Sequence, residues 1–389
     1  MLYSSAARLG SLVVATALLI GVVACQKDGQ NATPANDLAA LPLVAPASAN
    51  NASSPEKIAL GRALFWDPVL SGGKDVSCAT CHHPATGYAD ALDLSIGANG
   101  QGQGAARRFR APNDIPFVKR NSPTVLNAAF NGLTAAGNVD PDLAPMFWDG
   151  RAKSLETQSL MPVATLEEMR GHQYAEGVAL DSVVARLRRL PTYAALFTGA
   201  FAEPSPVTAI NIGKALACFE RTLVATDSRF DDYMRGNQAA LSSQEVAGLN
   251  AFVASGCAKC HNGPMLSDYQ MHILGVADNG KNAASDAGVN GTYAFRTPSL
   301  RNVALTAPYM HNGTIRDLTG VLNFYDPGRG QAPSSNPHVA VSQRDPLFPN
   351  HVNNAQAIIA FLGTLTATSY DRTVPTAVPS GLPVGGNIR

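Results

Sequence analysis

A mainly α-helical fold, built from two similar units in tandem with long loops around them, is what the sequence predicts. Three observations carry this: a C-x-x-C-H motif at residues 78–82, a second at residues 257–261, and a short amphipathic segment ahead of each. At 389 residues the chain suits two domains of ordinary size.

The first 25 residues read as an export signal. Arg8 is their only charged side chain, and an apolar run extends from Leu12 to Val23. The run is too short and too early for a membrane span. It ends in Val22-Val23-Ala24-Cys25, which resembles a lipobox and makes Cys25 the candidate lipid anchor; simple secretion after cleavage at a nearby small residue is the alternative. Both readings place the protein outside the cytoplasm. The lipoprotein reading puts it in the periplasm of a Gram-negative bacterium, with the lipid on Cys25 as its only membrane contact. Residues 26–53 are rich in Asn, Ala, Pro and Ser and read as a flexible tether.

Six cysteines then need roles. In a C-x-x-C-H motif the two thiols add across the vinyl groups of haem and the adjacent histidine faces the iron. Cys78, Cys81 and His82 are therefore predicted to hold one covalent haem c, and Cys257, Cys260 and His261 a second, each in a cytochrome c-like unit. Zinc would want the two pairs some 15–20 residues apart, a thioredoxin-like pair expects a βαβ setting, and a disulfide across so short a gap is strained. Cys218 lies in an apolar, helix-like run from Ala215 to Phe219 and reads as a buried thiol.

The segments ahead of the motifs are Gly61-Arg62-Ala63-Leu64-Phe65 and Gly248-Leu249-Asn250-Ala251-Phe252. Ser242 with Glu245 forms a capping box for the second, and Ser54-Pro55 opens the first with proline at the first helical position. The N-terminal unit is placed at residues 54–205 and the C-terminal unit at 206–372, divided at the Pro204–Pro206 break before a helix from Ile210 to Thr226. The Pro- and Gly-rich residues 373–389 read as a disordered tail. Basic and acidic residues number 29 each, so a nucleic-acid partner is not expected. A homodimer is left open.

A pure electron carrier closes each iron with a sixth ligand, whereas an enzyme leaves one open. No histidine lies between His83 and His172, and Met146 is the first methionine after the first motif. The first iron is thus the candidate open site, unless His172 or a methionine folds back.

Phe147-Trp148-Asp149-Gly150-Arg151-Ala152, the following Ser154 to Gln158, Pro162 and Glu168-Met169 resemble the bacterial di-haem cytochrome c peroxidase and MauG family. Arg120-Asn121-Ser122-Pro123-Thr124, Phe219-Glu220-Arg221-Thr222-Leu223 and the stretch from Arg296 through Pro308-Tyr309-Met310-His311 add to the resemblance, which spans residues 54 to about 371. It implies that Trp148 lies between the haems and relays oxidising equivalents, rather than being a core tryptophan. It implies that Glu168 is the distal acid–base group moving a proton between the oxygens of hydrogen peroxide, with Gln158 and Pro162 shaping that pocket and Glu167 a solvated charge. It also implies a calcium ion on the Asn121 side chain and the Thr306 and Pro308 carbonyls, and His311 beside a haem propionate.

Two departures divide the function. The histidine that caps the first iron in typical members has no counterpart in the loop from Ser95 to Gly104. The methionine that ligates the second iron falls on Tyr325, as in MauG; a hard tyrosinate favours oxidised iron, with Met310 the rival ligand. One expected function is reduction of hydrogen peroxide with electrons from a small periplasmic cytochrome c or cupredoxin. The second is peroxide-driven oxidation of tyrosine or tryptophan side chains on a protein substrate, and the third a non-catalytic electron carrier. The insertion from Gly132 to Ala144 is a candidate docking surface.

Overall fold

The computed structural model describes residues 37–326, 328, 335–347 and 351–389. The export signal and Cys25 lie outside them. No described helix is long and apolar enough to cross a membrane.

Among the described residues the architecture is mainly helical, with three two-stranded antiparallel ribbons. Helix Pro55–Trp66 starts at Ser54, whose Oγ accepts from the Lys57 amide, and has proline in its first turn. Helix Ser243–Ala254 carries the expected capping box between Ser242 and Glu245. Each helix crosses a second one at a glycine. A Cβ on Gly61 would lie 1.9 Å from the Ala215 carbonyl oxygen in helix Ala209–Glu220, and one on Gly248 would lie 1.9 Å from that of Ala357 in helix Ala355–Thr364. The crossing is repeated down to the aromatic residue beside it, Phe219 in one pair and Phe361 in the other.

This moves the expected boundary. A boundary at Pro204–Pro206 puts helix Ala209–Glu220 in the C-terminal unit, yet Ile212, Ala215, Leu216 and Phe219 pack in one core with Leu60, Leu64 and Phe65. The notch at Gly61 selects that partner; the Pro204–Pro206 break is only the loop leading into the helix. The other core gathers Phe230, Leu249, Phe252, Ile358 and Phe361. Gly248→Ala is expected to destabilise the fold by roughly 1–3 kcal/mol, because its methyl group meets backbone that cannot move aside. Gly363→Ala, where a Cβ meets nothing within 4 Å, should be neutral or slightly stabilising. Thermal unfolding of the two variants checks this contrast.

Both segments expected to be flexible are packed where described. Of the proposed tether, Leu38 and Leu41 are buried, the Leu41 amide donates to Asp231 Oδ1 at 2.8 Å, and the Gly263 amide donates to the Asp37 carbonyl at 2.7 Å. Two leucines in a polar stretch suffice to dock it. The tail is likewise ordered: Val378, Leu382 and Val384 pack on the first core, and the Gly385 amide donates to the Trp66 carbonyl at 2.8 Å. Proline lowers the entropy lost on ordering such a strap. In the insertion, Leu133 is buried with Leu41, Phe130 and Met265, while Leu143 is exposed.

Candidate active site

One continuous cavity of about 650 Å³ reaches both C-x-x-C-H motifs. Cys78, Cys81 and His82 line it at one end, and Cys257, Cys260 and His261 at the other. All four cysteines are unpaired, and burial raises the Cys81 and Cys257 thiols to about 12 and about 11. Both histidines are held the same way: His82 Nδ1 lies 3.1 Å from the Tyr88 carbonyl oxygen and His261 Nδ1 3.0 Å from that of Leu266. An Nδ1–H bonded to a carbonyl leaves Nε2 as the lone-pair nitrogen, the usual arrangement for an imidazole that binds a metal. Two thiols and one oriented imidazole at each end of a largely apolar cavity fit two haem c groups.

Trp148 sits at the bend of the hairpin formed by Pro145–Met146 and Ala152–Lys153, on the wall of the same cavity. Positive φ at Phe147 and Gly150 makes this bend, and the indole Nε1 donates to the Asn121 carbonyl at 2.9 Å. Arg120 holds the hairpin by pairing with Asp149 at 2.6 Å and with Asp286 through two nitrogens. Trp148 is half-buried on the wall and tethered by its polar edge.

Glu168 lies on the π-helical turn Leu166–Arg170 and opens onto the cavity. Burial pushes its carboxyl group up to about 7, Glu167 adds to the rise, and Arg151 opposes it. A carboxyl group at that value exchanges protons readily near neutral pH. Gln158 and Pro162 line the cavity. Glu167, its neighbour on the same turn as Glu168, is half-buried and also lines the cavity.

The loop from Ser95 to Gly104 contributes only Ser95 to the lining, and His172 is exposed, 3.2 Å from Asp114 and outside the cavity. Near the second motif both Tyr325 and Met310 reach the wall, and burial raises the Tyr325 phenol well above its ordinary value. Asn121, Thr306 and Pro308 share the wall. Asn121 Nδ2 donates to the Leu92 carbonyl at 2.8 Å, which leaves its oxygen for a cation. His311 stacks on Phe295 at 3.6 Å, and burial lowers it to about 4, so it is neutral. Cys260, Asp268 and His272 cluster closely enough to suggest a metal, but both His272 ring nitrogens are already taken by Asp345 and Asp268.

One residue received no role from the sequence. Glu220 faces the cavity with Oε2 unpartnered, and burial raises its carboxyl group to about 8, with Glu156 adding to the rise and Arg221 opposing it. Only its place in the Phe219-Glu220-Arg221 motif pointed to it.

Residues 55–239 match the family model described as di-haem cytochrome c peroxidase. Methylamine utilization protein MauG of Methylorubrum extorquens is 35% identical over 350 residues, covering 87% of this chain and 88% of that one. Cytochrome c551 peroxidase of Pseudomonas aeruginosa is 35% identical over 294 residues, covering 72% and 75%. Among solved structures, a MauG-like protein associated with microbial copper homeostasis superposes with a TM-score of 0.67 at 28% identity, covering 85% of this chain and 95% of that one. The family model and the relatives named as cytochrome c peroxidases are oxidoreductases, so the chain is an enzyme and a non-catalytic carrier is set aside. The chain belongs to the di-haem cytochrome c peroxidase family.

Proposed function

We propose that the protein is an exported di-haem oxidoreductase that reduces hydrogen peroxide to water at the His82 end of the cavity. Electrons come from a small cytochrome c or cupredoxin through the His261 end. The carrying observation is Glu168, an enclosed carboxyl group near neutrality facing the same cavity as Cys78, Cys81 and His82. When bound through the four thiols, the haems supply the electron chemistry. Glu168 takes a proton from one peroxide oxygen and delivers it to the other, Gln158 and Pro162 shape the space around it, and the tethered indole of Trp148 lies along the route between the two ends. Calcium on Asn121 and the Thr306 and Pro308 carbonyls would stiffen that wall. The periplasm, with a lipid on Cys25, is the proposed location. Consumption of peroxide only when a reduced donor is supplied tests the reading; no consumption under that condition sinks it.

A second reading is favoured by Tyr325 on the second wall together with the extent of the match to MauG. Here peroxide oxidises tyrosine or tryptophan side chains of a partner protein, with Tyr325 favouring an oxidised second iron. Tyr325→Met should alter the absorption spectrum of the second haem while Met310→Leu leaves it in place. The reverse pattern assigns the ligand to Met310.

A further inference from the structure

Among the described residues no hydrogen bond holds the Glu168 carboxyl group on the cavity wall it shares with His82, so its placement leans on the backbone that carries it. That backbone is clamped on two sides. A Cβ at Gly97 would lie 2.2 Å from the Glu168 carbonyl oxygen and 2.3 Å from that of Glu167, and the Ala98 amide donates to Glu167. On the other edge the Gly72 amide donates to the Met169 carbonyl at 2.8 Å.

The Gly97 side of the clamp is fastened from behind. Arg107 is 1% exposed and directs its donors at backbone carbonyls only: Ile96, Gly97 at 2.8 Å, Gly102 at 2.9 Å and Asn387 at 3.2 Å. A buried guanidinium is tolerated only when its donors are satisfied, so these four carbonyls are held where Arg107 needs them. Asn387 belongs to the C-terminal strap. Its carbonyl also accepts from the Gly102 amide at 2.9 Å, and its amide donates to Asp75 at 2.9 Å. Two residues earlier, the Gly385 carbonyl accepts from Thr80 Oγ1 at 2.8 Å, inside the first C-x-x-C-H motif. The strap thus ties the haem-attachment turn to the loop that braces Glu168.

We propose that Arg107 and the C-terminal strap, residues 380–387, are positioning elements for Glu168, pressing the glycine-rich loop against the turn that carries it. The inference rests on Glu168 as the proton carrier. Its test uses the full-length, haem-loaded protein, Arg107→Gln, and a chain ending after Val378. In both variants amide exchange of residues 96–102 should speed at least tenfold. Peroxide kcat should fall tenfold or more with KM within about twofold. The pH midpoint of the reaction should move toward the ordinary carboxylate range as water reaches Glu168. A synthetic peptide of residues 379–389 should restore the truncated chain. Unchanged loop exchange overturns the proposal, and so does a slower reaction whose midpoint stays in place, since that is a general structural loss. If the truncated chain fails to retain two haems, Arg107→Gln decides by the same readouts. Full turnover in Glu168→Gln sinks the functional reading and this inference with it. Loss in Glu168→Gln beside unaffected Arg107→Gln and truncated chains sinks this inference alone.

Discussion

Glu168→Gln should lower peroxide turnover about 10²–10⁴-fold, the usual worth of a positioned acid–base group, while both haems stay in place. The amide keeps the size of the side chain and removes its proton chemistry. The pH dependence carries the same assignment. To take the first proton from peroxide the group must be a carboxylate, and burial has raised it to about 7. The rate should therefore rise with pH through a midpoint near 7 and fall away on the acid side. In Glu168→Gln that midpoint should vanish. Stopped-flow rates from pH 5 to 9 on both proteins decide it, and a retained midpoint near 7 in the variant assigns the proton to another group. Glu220, raised to about 8, is the first to examine then.

Replacing Cys78 and Cys81 together by alanine should halve the haem bound per chain and abolish the reaction with peroxide. Both thiols face the cavity beside His82, and without them nothing covalent holds the group that the imidazole orients. The Cys257 and Cys260 pair should also leave one haem, but that protein should still react with peroxide at the first site and fail to turn over with the donor. Cys218→Ala should leave two haems, because its thiol is buried beside Asn51, away from the cavity lining. A pyridine haemochrome measurement counts the haems, and two haems in the Cys78/Cys81 variant would end the assignment.

What the sequence made legible was local. The attachment motifs, the Ser242–Glu245 capping box and the Ser54-Pro55 start each need only a few adjacent residues, and each is present. Glu168, Gln158, Pro162 and Trp148 came from the resemblance, and all four lie on one cavity. The boundary failed because a proline-rich break is local punctuation, whereas the partner of helix Pro55–Trp66 is chosen by the missing side chain at Gly61. The tether and tail readings failed because composition averages over the few apolar residues that do the docking: Leu38 and Leu41 at one end, Val378, Leu382 and Val384 at the other. Glu220 carried no signal beyond its motif, since its burial depends on how two helices cross.

The C-terminal strap bears on the order in which the molecule matures. The core around the first attachment motif is completed only by residues 209–220 and, last of all, by residues 378–387. Contacts between such distant parts of a chain form late. As the chain emerges, the second motif can meet its own closing helix at residues 355–364 before the first motif meets the strap. The haem attached to the first cysteines to appear is thus expected to be the last to be enclosed, and a chain cut short near its end would carry a finished second site beside an open first one.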